Sequence, residues 1–226
     1  MELSTMLDAA KSGNLKQIKK LANDDADLNR TAKNGVSALI IAAEHNNVEV
    51  VDFLLKQGAD PNITTSLGGT ALSRAAERGN IEVMKQLLEH NAEIGDVSLI
   101  AAAREGNLKA VKLLVEKGAN VNVQQRWGQT ALMLAAREGH SMIVKYLLGN
   151  GAKVKLRDKN DESALSMALD NDNKEIANQL RRAGAKATAS KESDADFDED
   201  EEDSEVMDAP DFDDLMDDEE AIDEDD

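Results

Sequence analysis

Gly128-Gln129-Thr130-Ala131-Leu132-Met133-Leu134-Ala135-Ala136-Arg137-Glu138-Gly139-His140 decides how this chain is built. Thr130 can cap a helix, its hydroxyl accepting from an orphan N–H of the first turn. Ala131 to Glu138 then reads as a short helix whose small alanines let a neighbour approach closely. Gly139 stops it, because glycine enters the left-handed cap conformation without steric cost. A second helix is predicted from about Ser141 to Gly149, with Ile143, Val144, Leu147 and Leu148 spaced as one apolar stripe. Gly151 ends that helix, and a polar connector follows.

The same unit recurs along most of the chain, starting at Glu2, Gly35, Gly68, Gly95, Gly128 and Asp161. Four of the five steps are 33 residues, and the third unit is six residues short. Position 5 of the unit reads Met6, Leu39, Leu72, Leu99, Leu132, Leu165. Position 20 reads Leu21, Leu54, Leu87, Leu114, Leu147, Leu180. Position 25 is always alanine: Ala26, Ala59, Ala92, Ala119, Ala152, Ala185. The first helix stops at Gly13, Asn46, Gly79, Gly106, Gly139 and Asp172; the second stops at Asp25, Gly58, Asn91, Gly118, Gly151 and Gly184. Asn and Asp replace glycine only where they are the next residues able to adopt that backbone. No single unit has enough apolar surface to fold alone, so six must stack and share a core.

These units closely resemble the ankyrin repeat, on the stretch Gly128–His140 and on Phe53-Leu54-Leu55-Lys56-Gln57-Gly58-Ala59-Asp60-Pro61-Asn62. The resemblance covers about four fifths of the chain. It implies an all-α repeat solenoid: helix-turn-helix units with short β-hairpin fingers, units 2–34, 35–67, 68–94, 95–127, 128–160 and 161–187, followed by an acidic tail at 188–226. The family often has Thr-Pro-Leu-His at its first helix. Here the Pro position holds Ala38, Ala71, Ser98, Ala131 and Ala164, and the His position holds Ile40, Ser73, Ile100, Met133 and Ser166. Without those histidines, looser locking between units is expected. Lys19, Lys20, Arg181 and Arg182 put charge on the end units, as capping units require. The six residues missing between Ile94 and Gly95 correspond to one finger. Their loss predicts a notch, which is either a tolerated deletion or an opening for a partner segment.

Charge divides the chain in two. Net charge is −19. From Thr188 onward there are 22 acidic residues and one basic, Lys191, giving −21; residues 1–187 carry 23 acidic and 25 basic, giving +2. A near-neutral folded body thus adjoins a polyanion that is too charged and too poor in apolar residues to offset its ordering entropy alone. Cysteine is absent, which removes disulfides and thiolate metal sites. No stretch approaches the roughly 18 apolar residues of a membrane span, and no signal sequence is evident. The expectation is a cytoplasmic or nuclear protein that is a monomer when unbound. Three Phe, one Tyr and one Trp are too few aromatics for a base-stacking surface, and the tail repels phosphates, so direct nucleic-acid binding is not expected.

The resemblance also implies where a partner would lie: on the concave side, against the first helices and the fingertips. That face would carry Glu44, His45, Glu77, Arg78, Arg104, Glu105, Arg137, Glu138, Asp170 and Asn171; the tips would be Lys33, Asn34, Ser66, Leu67, Arg126, Trp127, Lys159 and Asn160. Trp127 is the only tryptophan, and it falls at a tip beside Arg126. Both residue types are enriched at binding hot spots. It either meets a partner or packs on its own hairpin. Arg104 and Arg137 occupy the same unit position and Arg78 the next one. As a column they either grip carboxylates or pair with nearby Glu105 and Glu138. His45, His90 and His140 fall at three different unit positions without metal-ligand spacing, and His140 is expected to bond locally beside Gly139. No nucleophile elbow, phosphate loop or dinucleotide fingerprint occurs, so no catalytic, cofactor or metal site is expected, nor an enzyme.

In the tail, Phe212, Leu215 and Met216 would share one face of a helical turn. The tail serves as a solubilising arm, a capture device for a basic partner, or a segment that folds back on the arginines. Three functions compete. The first is a non-catalytic adaptor or scaffold binding a partner protein through the concave face, assisted by the tail. The second is a chaperone or escort of a strongly basic client such as a ribosomal protein or histone. The third is a nucleic-acid mimic acting through the polyanion.

Overall fold

The structure, a computed structural model, describes residues 2–24 and 26–186. The tail motif Phe212, Leu215 and Met216 and the stop at Asp25 lie outside the described residues. Twelve helices alternate along them. The first helices of the six units are α1 (Glu2–Ser12), α3 (Ala38–Glu44), α5 (Ala71–Arg78), α7 (Asp96–Arg104), α9 (Ala131–Arg137) and α11 (Ala164–Asp170). The second helices are α2 (Leu15–Asn23), α4 (Val48–Lys56), α6 (Ile81–Glu89), α8 (Leu108–Glu116), α10 (Ser141–Gly149) and α12 (Lys174–Arg182). Each first helix packs on its own second helix and on the first helices before and after it, which gives two rows and one continuous core.

Composition follows from that placement. A first helix has neighbours on three sides, so every residue from Ala131 to Ala136 is buried and most must be small. A second helix has an outer face, so α10 buries only Ile143, Val144 and Leu147. Removing such a Leu side chain from water contributes about 2 kcal/mol before any packing gain. Ser37, Thr70, Thr130 and Ser163 cap α3, α5, α9 and α11 by accepting from the N–H three residues on. At α5 and α11, the serine in the family's histidine position returns the bond: Ser73 and Ser166 each accept from the cap residue's own N–H, closing reciprocal capping boxes. The stop positions behave as their residue types require. Asn46, Asn91 and Asp172 have φ of 57°, 62° and 55°, alongside glycines such as Gly79 at 71°.

Two expectations need correction. The β-hairpin fingers are turns, with no strand among the described residues. Ala32–Val36, Thr65–Gly69, Gln125–Gln129 and Asp158–Glu162 form four near-identical tips. Each is closed by a bond from its first N–H to its last carbonyl, at 2.9, 2.8, 3.0 and 2.9 Å. Each turns at a positive φ on Gly35, Gly68, Gly128 or Asp161. A second bond, from the fourth N–H back to the first carbonyl, closes each turn, and no further rung follows, so the arms never become strands. Second, His140 does not bond locally. Its Nε2 lies 2.9 Å from the Arg104 carbonyl, a full unit away.

At the short unit the chain passes from Asn91 through Ala92-Glu93-Ile94-Gly95 directly into α7, and no tip forms. Position 3 of that unit is Val97, which cannot cap, so α7 starts early at Asp96. Its N-cap Gly95 offers no side-chain bond.

Candidate protein-binding surface

The ends of the first helices bring the charged candidates together as interleaved pairs. Arg78 Nη2 reaches Glu44 Oε1 of the preceding unit at 3.1 Å. Arg104 Nη2 reaches Glu77 Oε1 of the preceding unit at 2.8 Å, while its Nε holds Glu105 at 2.8 Å. Arg74 takes the other oxygen of Glu77 at 2.9 Å. Arg137 pairs with Glu138 at 2.8 Å. The column is therefore a charge-balanced ladder rather than a bare row of cations. Glu105, hydrogen-bonded to the guanidinium, holds Arg104 above even the usual arginine range, against a smaller opposing effect of burial. His45 Nδ1 faces the Ile41 carbonyl of its own helix at 3.0 Å. Such part-exposed pairs contribute about 0–1 kcal/mol each, so their main effect is to fix where charge is presented.

A second ladder, of side-chain bonds to backbone, crosses from unit to unit. Position 13 of each unit reads Asn14, Asn47, Asn80, Asn107, His140, Asn173. Asn47 Nδ2 donates to the carbonyls of Ala10 and Lys11, at 2.6 and 3.1 Å. Asn80 donates to Ala43 and Glu44, Asn107 to Ala76 and Glu77, and Asn173 to Ala136 and Arg137. These carbonyls are the ones a helix C-terminus leaves without partners, so each unit closes the helix end of the unit before it. His140 takes that place in the fifth unit, and its Nε2 must carry the hydrogen because a carbonyl only accepts. The stop residue beneath is glycine in four of the six units. It turns at positive φ, and a Cβ on Gly79 would lie 2.8 Å from Asn107 Oδ1. The sequence signal was the asparagine column itself, whose partner lies 30–37 residues upstream.

A third set joins the loops. Asn29, Asn62 and Asn122 bond the backbone of the following unit at Asp60, Glu93 and Lys153. The tips also pair: Ser66 N donates to Asn34 O at 2.9 Å, and Lys159 N to Trp127 O at 3.0 Å. Trp127 stands 62% exposed with Arg126 over its ring at 5.9 Å, and Leu67, on the tip across the missing finger, is 86% exposed. In an open depression of about 330 Å³ at Gly139, Ser141 and Asp172–Ile176, Ser141 is bonded to Glu175 and Gln179. Among the described residues no His/Asp/Glu group is placed to hold a metal, and no helix is long and apolar enough to cross a membrane.

Residues 6–98 and 99–191 each match the family described as ankyrin repeats (3 copies). The chain belongs to the ankyrin-repeat family. Domains of this family are generally protein–protein interaction modules. Among solved structures it resembles the human ASB11 ankyrin repeat domain at 27% identity, covering 80% of this chain and 84% of that one with a TM-score of 0.71. An ankyrin repeat domain from Acinetobacter baumannii is similar at 29% identity, over 80% and 98% of the two chains, TM-score 0.69. So is a chain in the complex of the predatory endopeptidase Bd0816 from Bdellovibrio bacteriovorus with immunity protein Bd3460, at 28% identity over 79% and 97%, TM-score 0.70. No curated protein matches the sequence.

Proposed function

We propose that this chain is a non-catalytic adaptor that binds a partner protein through the fingertip edge and the ends of its first helices. The observation that carries the reading is the exposure of Leu67 and Trp127, two large apolar side chains held outside the core on rigidly closed turns. Aromatic and Arg side chains on a fixed backbone lose little freedom on binding, which favours them as anchors. The Arg–Glu ladder would then select orientation, since its charges are already balanced. Likeness to a chain in an enzyme–immunity protein complex supports a dedicated partner.

A second reading, escort of a strongly basic client, draws on one observation: the −21 carried from Thr188 onward. Electrostatic capture of that kind weakens as the screening length falls, from about 10 Å at 0.1 M salt to about 3 Å at 1 M. Affinity capture from native lysate with the full chain, Trp127→Ala, and a variant ending at residue 187 separates the two. The adaptor keeps its partner at high salt without the tail and loses it with Trp127→Ala. If every partner is basic and disappears with the tail, the adaptor reading is wrong.

A further inference from the structure

The regular stack pairs each fingertip with the next through one backbone bond: position 32 of the later tip donates to position 33 of the earlier one, as Ser66 N does to Asn34 O and Lys159 N to Trp127 O. The missing finger breaks that series once. Its two neighbours keep the groups that would have met it. Leu67 O is the acceptor left over on one side and Arg126 N the donor left over on the other; neither has a protein partner among the described residues. The exposed side chains of Leu67 and Trp127 sit on these same two tips. Arg126 makes no ion pair among the described residues, whereas the arginines of the ladder are all paired.

Dimensions fit a particular occupant. Stacked helices lie about 8–10 Å apart, so tips two units apart are separated by roughly 16–20 Å. The two arms of a tip take up about one strand spacing, roughly 4.8 Å, which leaves about 11–15 Å between facing edges; two inserted strands need three spacings, about 14 Å. We infer that the gap between Leu67 and Trp127 is a docking slot for a β-hairpin turn of a partner protein, which takes the place of the absent finger. The hairpin supplies an N–H to Leu67 O and a carbonyl to Arg126 N, an apolar side chain between Leu67 and Trp127, and a carboxylate to Arg126. Backbone bonds give affinity, and the flanking side chains give specificity. This deepens the protein-binding reading and rests on it.

Trp127 is the only tryptophan, so its emission reports the slot directly. The probe is a disulfide-closed hairpin peptide with an Asn-Gly turn flanked by leucine and glutamate, titrated into the full chain. A saturable blue shift with a Kd of about 10–500 µM is expected. Arg126→Glu should weaken it at least about tenfold, and a peptide with lysine for glutamate should recover binding to that variant. Leu67→Ser should also weaken it. A protein whose gap is filled by repeating residues 62–67, the equivalent positions of the second unit, between Ile94 and Gly95 should not respond, while its helical circular dichroism stays intact. No shift up to millimolar peptide, or an equal shift in the filled and both point variants, overturns the slot. A blue shift that grows with protein concentration alone, with dimers in sedimentation, makes a second copy the occupant and likewise overturns it. If a partner captured from lysate binds the filled protein as well as the original, the slot fails while the adaptor reading stands.

Discussion

At the scale of single residues, one side chain per unit ties the helix end of the unit before it. His140 shows how specific the requirement is. Its ring closes the Arg104 carbonyl and packs over Gly106, where a Cβ would come within 2.7 Å of Cε1. His140→Ala strips that part-buried carbonyl of its partner and is expected to cost about 1–3 kcal/mol. His140→Asn, the residue used by every other unit, should restore most of it. Urea denaturation of both variants decides the matter, and equal losses would contradict the account. Ser98 presents the opposite case. It is fully buried, and its Oγ has no partner. Alanine occupies the same position in four other units, at Ala38, Ala71, Ala131 and Ala164. Ser98→Ala should therefore raise the melting temperature, corresponding to about 1 kcal/mol.

Helices were legible in the sequence because their determinants are local. The hydroxyl at Thr130, the apolar spacing of Ile143, Val144 and Leu147, and the left-handed stops at Asn46, Asn91 and Asp172 each act within one or two turns. The surface was less legible. Arg104 as a grip for carboxylates and Arg104 as an internal partner of Glu77 differ only in what lies one unit away, and local spacing does not encode that. His140 was misplaced for the same reason. Between α8 and α10 another cross-unit relation has a measurable consequence. Burial, and secondarily Glu116, push the Tyr146 hydroxyl above its usual range. The folded state thus favours the neutral phenol. This contribution is complete below the usual tyrosine value of about 10 and is lost as pH rises through the higher folded value. Stability should fall more steeply above about pH 10 in the original chain than in Tyr146→Phe. Parallel alkaline profiles would remove Tyr146 from the explanation.

For the molecule as a whole, cooperativity depends on how many links cross each joint. The first two units are joined by Asn47, by Asn29 and by the Ser66–Asn34 tip bond. Across the short unit the loop asparagine and both tip bonds are gone. Asn107 and the Arg104–Glu77 pair remain among the described hydrogen bonds and ion pairs of that joint. Asn107→Ala should therefore do more than lower stability by about 1–3 kcal/mol. It should split urea unfolding into two transitions, or lower the m-value, as coupling between repeat blocks fails. Asn47→Ala, losing as many bonds at a better-linked joint, should keep one transition. Two equally sharp curves would show that helix packing alone carries the coupling. The position-13 asparagines have one more consequence. Each reaches back onto helix ends that are themselves in phase, by 36–37 residues from Asn47 and Asn173 and by 30–31 from Asn107 across the short unit, so the stack has a grammar for insertion and deletion. Whole multiples of the 33-residue period can be gained or lost by recombination with every lock re-forming against its new neighbour. Fractional changes are confined to the tips. The six-residue deletion lies there, and it left the helices in frame.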